Sequence, residues 1–195
     1  AKEKGSDKSG FNNLKRMSAE QRQAWDAAFA DENAAFYEAK LEGEDLLRWK
    51  YQRYLKNYLA TARAVDDSVG RLMAYIDQAG LSDNTVVIYS SDQGFYLGDH
   101  GWYDKRWMFE ESFKMPFVIR WPGVTRPGSR PKEMIQNIDY APTFLEAAGV
   151  EIPAEIQGKS IAPVLKGTPR DWRKSLYYSY YEKGEHNVPQ HFGVR

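Results

Sequence analysis

The chain has 195 residues, of which 42% are hydrophobic and 28% are charged, a composition typical of a folded globular protein. Its 27 basic and 27 acidic residues cancel, so the net charge gives no basic surface that would indicate nucleic-acid binding. No apolar run approaches the ~18–20 residues needed to cross a bilayer. The lack of cysteine excludes disulfides, thiolate metal sites and a cysteine nucleophile within this sequence.

The first part of the sequence is predicted to be mainly helical. Residues 1–17 are polar and indicate a loop or linker. The capping-box pattern Ser18-Ala19-Glu20-Gln21 opens a helix, which Gly43 would interrupt. Apolar residues at three- and four-residue spacing over 47–76 then predict a long amphipathic helix with one buried face. Gly80 is placed to cap that helix in the left-handed conformation.

Strands and helices alternate in the rest of the sequence. The β-branched run at 85–91 follows a helix and indicates a strand buried on both faces, as in a parallel sheet. Further strands are predicted at 116–121 and 176–181, with a short helix at 138–149 between them. This alternation predicts an α/β fold.

The strand at 85–91 leads directly into Ser91-Asp92-Gln93-Gly94. In open α/β sheets, ligands bind beyond the carboxyl ends of the strands. The carboxylate of Asp92 and the neutral amide oxygen of Gln93 are adjacent hard-oxygen donors, of the kind that Ca²⁺ or Mg²⁺ prefers. A solvated turn after a strand would have the same sequence, so these residues alone leave both interpretations open.

Two cations lie in the aromatic-rich loop that follows. Aromatic neighbours of Lys105 and Arg106 would exclude water and strengthen any charge interaction. A lysine beside a divalent cation is the arrangement that stabilises the oxyanion of a transferring sulfuryl or phosphoryl group. The alternative is that both are surface cations paired with Asp104 and Glu110, and the loop alone does not decide between the two.

The stretch from Thr85 to Gly123 resembles the C-terminal signature of type I, formylglycine-dependent sulfatases of the alkaline phosphatase superfamily. The shared pattern is a hydrophobic strand, Ser-Asp-x-Gly, a turn with His100, a lysine followed by an aromatic residue and Glu, and Pro-Phe-x-Ile-x-Trp-Pro-Gly. The upstream helix and two downstream stretches also match, so the resemblance covers about residues 45–180. The loop is most similar to that of bacterial glycosaminoglycan sulfatases of the N-acetylglucosamine-6-sulfatase type.

The resemblance implies a role for each candidate residue. Asp92 matches a metal-ligand aspartate of the family and Gln93 the neighbouring ligand, which implies a Ca²⁺ site, with Mg²⁺ as a second cation that would fit. Lys105 matches the catalytic lysine, which contacts the substrate sulfate and neutralises charge as the S–O bond breaks. His100 and Arg106 are expected to contact the substrate beside Lys105.

The resemblance also implies a fold class and a set of domain boundaries. We expect the C-terminal part of an alkaline-phosphatase-like sandwich with a mostly parallel central sheet, followed by the start of a small C-terminal α+β subdomain. Residues 1–44 would be a linker or insertion with a helix, 45–170 the C-terminal part of the α/β domain, and 171–195 the beginning of the subdomain.

The other half of a sulfatase site is not recognisable in this sequence. The family nucleophile is a formylglycine in a Cys/Ser-x-Pro/Ala-x-Arg motif, accompanied by two aspartate ligands and an upstream histidine, whereas His100 is the first histidine here. We therefore expect both ends of the chain to be cuts in a longer enzyme. The formylglycine would lie in its N-terminal half, and the isolated chain would be inactive.

The expected function is hydrolysis of a sulfate ester on a sulfated carbohydrate, by an enzyme of the periplasm or the secreted fraction. A sulfated sugar is the expected partner, with no nucleic acid and no membrane span; the oligomeric state is not indicated. Two alternatives are a phosphodiesterase or phosphonate hydrolase of the same superfamily, and a noncatalytic glycan-binding or structural fragment.

Overall fold

A computed structural model of the chain describes residues 14–183 and 186–195. Most of the predicted loop at 1–17 lies outside these residues. The chain divides into two compact units, Ala1–Arg63 and Ala64–Arg195. The domain boundaries expected after residues 44 and 170 stay a prediction.

The first unit contains helix α1 (Ala19–Ala39) and the beginning of helix α2 (Gly43–Gln78). The predicted capping box is present, because the Ser18 hydroxyl accepts from the Gln21 N–H at 3.2 Å and the Gln21 side chain accepts from the Ser18 N–H at 2.9 Å. The first helix is interrupted a few residues earlier than expected, because α1 ends at Ala39 and Lys40, at positive φ, caps it. Gly43, also at positive φ, is instead the first residue of α2.

Helix α2 is longer than the apolar pattern predicted, and it is continuous over 36 residues. Gly80 follows it with φ of +68° and donates to the carbonyl of Asp77 at 3.1 Å, as expected of a left-handed cap. The predicted buried face is only partly realised, since Ile76 is the one buried residue of the helix and Leu72 is 53% exposed. Among the described residues, only the C-terminal end of this apolar face is buried by the rest of the chain.

The second unit has two separate antiparallel ribbons. Strand β1 (Val87–Ser90) pairs with β2 (Phe117–Arg120), and β3 (Tyr177–Tyr180) pairs with β4 (His191–Val194). The expectation that β1 is buried on both faces is wrong for this chain, because its single described neighbour leaves Tyr89 44% exposed. The mixture of helices and short strands is that of part of an α/β fold, although no parallel pair occurs among the described residues.

The second unit also has short helices: α3 (Glu110–Phe113) lies between β1 and β2 in the sequence, and α4 (Tyr140–Ala147) and α5 (Ala162–Leu165) lie between β2 and β3. The buried Thr143 hydroxyl donates to the carbonyl of Asp139 at 2.6 Å and accepts from the Ile161 N–H at 3.0 Å, which ties α4 to the start of α5. As predicted, Pro142 lies in the first turn of α4 and Gly149 follows it at positive φ. Among the described residues, no helix combines the length and the apolarity that crossing a membrane requires.

Candidate active site

A cavity of about 230 Å³ lies where β1 ends, and it brings together three of the predicted site residues, Asp92, Gln93 and Lys105. Lys105 is half-buried in its wall, whereas Asp92 is exposed at its edge. The remaining lining comes from α3 and the residues after it, from the turn before α4 and from the β3–β4 ribbon: Ser112, Phe113, Met115, Ile135, Gln136, Asn137, Leu176, Tyr177, Tyr178 and Arg195.

The loop after β1 is fixed by its own backbone contacts. The Ser91 hydroxyl donates to the carbonyl of Gln93 at 2.7 Å, and the Gly94 N–H donates to the carbonyl of Ser112 at 3.1 Å. A Cβ atom on Gly94 would lie 1.8 Å from the carbonyl oxygen of Glu111. Glycine is therefore required here by the close approach of two backbones.

The side chain of Gln93 is oriented by the lysine opposite it. Its Nε2 donates to the backbone carbonyl of Lys105 at 3.0 Å. Oε1 of the same amide accepts no hydrogen bond from the described residues, so it is an oxygen donor next in the chain to Asp92. Both donors are hard oxygens, so they fit Ca²⁺ or Mg²⁺ in chemical type.

The described residues supply only part of a coordination sphere. No cluster of three or more histidine, cysteine or acidic residues occurs in the part of the chain that the structure describes. Ca²⁺ takes roughly 6–8 oxygen ligands. Asp92 and Gln93 would thus contribute two ligands, and the others would come from elsewhere.

His100 lies outside the cavity. Its Nε2 is 3.0 Å from Oε2 of Glu111, and its ring stacks on Phe109 with centroids 4.1 Å apart. Hydrogen bonds from the Glu111 backbone N–H and from His100 hold the pKa of Glu111 below its usual value. The structure thus gives His100 a partner within the loop, and its expected role as a substrate contact stays a prediction.

Arg106 also faces away from the cavity. Its guanidinium forms an ion pair with the carboxylate of Asp104, and it lines an open surface depression that includes Trp102 and His186. The alternative in which Asp104 and Glu110 pair with the cations of this loop is therefore correct for Asp104, which pairs with Arg106. Glu110 is instead paired with Arg195, through contacts of 2.6 and 2.9 Å.

Several residues that line the cavity were not predicted from the sequence. Gln136 and Asn137 lie just before the helix predicted at 138–149, so that position was a usable signal. Tyr178 and Arg195 come from the β3–β4 ribbon, 85 and 102 residues beyond Gln93. Nothing local in the sequence of β3 indicates which of its tyrosines faces the cavity.

A fully buried carboxylate holds the turn that carries Gln136 and Asn137. Asp139 accepts from the N–H groups of Gln136 and Lys159 at 2.8 and 2.9 Å, and it pairs with both terminal guanidinium nitrogens of Arg173. Burial alone would raise the pKa of Asp139, but the hydrogen bonds from Arg173 and the two N–H groups outweigh burial and lower it. The carboxylate is therefore charged in the folded protein at neutral pH.

Two family models match the chain. The model described as the C-terminal region of N-sulphoglucosamine sulphohydrolase matches residues 98–195. The model described as type I phosphodiesterase / nucleotide pyrophosphatase matches residues 8–133.

Individual relatives agree with these matches. The chain is 50% identical over 189 residues to an N-acetylglucosamine-6-O-sulfatase of Bacteroides thetaiotaomicron, covering 95% of this chain and 34% of the relative. It is 36% identical over 147 residues to a multifunctional alkaline phosphatase superfamily protein of Trinickia caryophylli, covering 74% of this chain and 29% of the relative.

A solved structure of a protein in complex with its substrate D-glucosamine-2-N,6-O-disulfate superposes with a TM-score of 0.87 at 49% identity, covering 95% of this chain and 38% of that one. The chain spans about a third of the length of the curated relatives that it matches. On the family matches and these likenesses together, the chain belongs to the sulfatase family of the alkaline phosphatase superfamily.

Proposed function

We propose that this chain forms the metal-and-sulfate side of the active site of an enzyme that hydrolyses the 6-O-sulfate ester of a glucosamine-type sugar. The observation that carries the proposal is the convergence of Asp92, Gln93 and Lys105 on one cavity. The sugar is suggested by the 50% identity to an N-acetylglucosamine-6-O-sulfatase and by the disulfated glucosamine in the similar solved structure.

The roles of the three residues follow from their chemistry. Asp92 and Gln93 would hold Ca²⁺, or Mg²⁺, and the cation would supply fixed positive charge against the sulfate oxygens. Lys105 would add a second positive charge and a hydrogen-bond donor, in a cavity wall where solvent screening is reduced. Charge that develops on the sulfate as the S–O bond breaks is stabilised most by groups that are already in place.

Arg106 and His100 have a different proposed role. Both lie outside the cavity, and each is engaged by a neighbouring carboxylate, Asp104 or Glu111. We assign them to contacts with the sugar, because a group whose charge is already paired with a carboxylate is less suited to neutralising sulfate. The depression around Arg106, whose lining also includes Asp104 and Asn187, would receive sugar hydroxyl groups.

The remaining chemistry is assigned to sequence outside this chain. The formylglycine nucleophile, further aspartate ligands and the acid for the leaving alcohol would come from the rest of an enzyme about three times as long, as the coverage of its relatives suggests. We also propose that this enzyme meets its sulfated sugar in the periplasm or outside the cell.

A second candidate is hydrolysis of a phosphodiester or phosphonate ester. The specific observation in its favour is the match of residues 8–133 to the type I phosphodiesterase / nucleotide pyrophosphatase model. The identity of 36% to the multifunctional superfamily protein, against 50% to the sulfatase, favours the sulfate ester.

The deciding experiment changes Lys105→Ala in the full-length enzyme and measures kcat and KM with 6-O-sulfated N-acetylglucosamine. We expect kcat to fall about 10²- to 10³-fold, the usual effect of removing one donor to a developing oxyanion. Lys114→Ala, which removes an exposed lysine nine residues away, is the matched control and should leave kcat unchanged.

Two results would count against the proposal. If Lys105→Ala raises KM and leaves kcat intact, Lys105 binds the ground state only. If the unchanged enzyme cleaves a phosphonate monoester or phosphodiester with a higher kcat/KM than the sulfated sugar, the second candidate is correct.

A further inference from the structure

Lys105 lies in a short segment without regular secondary structure, residues 104–107, which we call the lysine segment. A lysine has a flexible four-carbon stem, so the position of its ammonium group depends first on how firmly its backbone is held. In an irregular segment that hold cannot come from a helix or a sheet ladder, and other groups must satisfy its backbone.

All four carbonyls of the lysine segment accept hydrogen bonds from elsewhere in the second unit. The Tyr96 N–H donates to the carbonyl of Asp104 at 3.0 Å, and Gln93 Nε2 donates to that of Lys105 at 3.0 Å. The Tyr178 hydroxyl donates to the carbonyl of Arg106 at 2.9 Å. The carbonyl of the last residue, Trp107, is reached by the hydroxyl of Tyr96 and by that of Ser112.

Tyr96 is the centre of this arrangement. It is fully buried, and its hydroxyl contacts both the carbonyl of Trp107 at 2.9 Å and the N–H of the same residue at 2.6 Å. Together with its own N–H, Tyr96 therefore holds the lysine segment on both sides of Lys105.

Tyr178 reaches the segment from strand β3, far along the chain. Its ring lines the cavity, but its hydroxyl is turned to the carbonyl of Arg106. Burial raises the pKa of Tyr178, which keeps the hydroxyl protonated and able to donate at neutral pH. Because this hydroxyl donates to the backbone of the lysine segment, its role is to hold that segment rather than to contact the sulfate.

We propose that Tyr178 and Tyr96 are positioning residues, which hold Lys105 against the sulfate by fixing the backbone of the lysine segment. This inference rests on the proposed function, because it takes Lys105 as the group that acts on the sulfate. It makes the β3–β4 ribbon part of the catalytic machinery through one hydroxyl.

The test is a double-mutant cycle in the full-length enzyme, with kcat and KM measured on the sulfated sugar. Tyr178→Phe keeps the ring and removes the hydroxyl, and we expect kcat to fall about 10-fold, as for other supporting contacts around an active site, with a smaller change in KM. In a Lys105→Ala background, the same change should cause no further loss, because its effect acts through Lys105.

Tyr181→Phe is the matched control, since it makes the same chemical change on a side chain that is 77% exposed beyond β3, and it should leave kcat unchanged. Tyr96→Phe is the stronger variant, but it removes several buried contacts and can unfold the loop, so the cycle relies on Tyr178. A thermal melt of each variant accompanies the kinetics.

The inference is overturned if Tyr178→Phe leaves kcat unchanged, or if its loss is the same with and without Lys105. The proposed function fails separately, if Lys105→Ala alone leaves sulfate-ester turnover intact. The two failures are therefore distinguishable within one set of four proteins.

Discussion

The side-chain amide of Gln93 has a donor, Nε2, and an acceptor, Oε1, with different proposed partners. Nε2 donates to the carbonyl of Lys105, and in the proposed site Oε1 would bind the cation together with Asp92. A glutamate in this position would place an acceptor against the carbonyl, which is also an acceptor, and the contact would become repulsive. Unlike a glutamate, the neutral amide can therefore donate to the lysine segment and still offer an oxygen to a cation.

The proposed metal role of Asp92 can be tested without an activity assay. At about a hundredfold excess over its dissociation constant, Ca²⁺ should stabilise the full-length protein by roughly 2.7 kcal/mol and raise its melting temperature. Asp92→Asn should abolish most of that rise, and Asp99→Asn, a change at another exposed aspartate of the same loop, should preserve it. An equal calcium response in Asp92→Asn and the unchanged protein would exclude Asp92 as a ligand.

A shared site for Asp92, Gln93 and Lys105 was expected from the resemblance to sulfatases, and the three lie within 14 residues of sequence, which keeps their convergence on one cavity local. The direction of Arg106 did not follow, since its pairing with Asp104 turns it out of the cavity. The contact of Tyr178 with the lysine segment was not predictable from the sequence either, because it depends on how the β3–β4 ribbon packs against that segment.

Single elements follow local signals where those signals are complete. The start of α1 is fixed by the side chain of Ser18, and the end of α2 by the left-handed Gly80, so both bounds were predictable. Strand pairing is a different case. The antiparallel contact of β1 with β2 depends on which strands are available, and the β-branched sequence of β1 does not encode its neighbours.

The turn before α4 depends on the buried pair of Asp139 and Arg173, which links it to the residues before β3. Asp139→Asn leaves the guanidinium of Arg173, only 13% exposed, without its charged partner. We expect the free energy of unfolding at pH 7 to fall by about 3 kcal/mol, as measured by denaturant titration.

The pH dependence of that loss has a definite sign. The folded-state pKa of Asp139 is lowered from 3.8, so its contribution to stability is complete above about pH 4 and is lost as the pH falls through the lower folded value. The stability difference between Asp139→Asn and the unchanged protein should therefore be constant from pH 7 to about 4 and shrink below it. A difference that grows on acidification would contradict the assigned pairing.

At the scale of the whole molecule, apolar surface remains uncovered in this chain. Val118 of β2 is 65% exposed, Phe144 of α4 is 51% exposed, and Leu72 of α2 is 53% exposed. Exposed apolar side chains in such number are typical of surfaces that contact other protein. The limited coverage of the relatives, about a third of their length, agrees with this interpretation.

The isolated chain, residues 1–195, should therefore bind the dye 8-anilinonaphthalene-1-sulfonate and melt without a sharp transition. It should also give no turnover of 6-O-sulfated N-acetylglucosamine, because only part of the proposed site is present in it. The full-length enzyme is the positive control for both measurements. A cooperative melt, or sulfatase turnover by the isolated chain, would contradict these expectations.

The hydrogen bonds of the lysine segment have a consequence for proteolysis. Lys105 and Arg106 are consecutive basic residues in a segment without helix or strand, so by sequence they form a preferred cleavage site for trypsin. A protease must draw several residues into its cleft in an extended form and bind their backbone groups. Because all four carbonyls of the segment are already engaged, trypsin can cleave there only after local opening. In the folded enzyme, this basic pair should outlast the exposed basic residues of the surface.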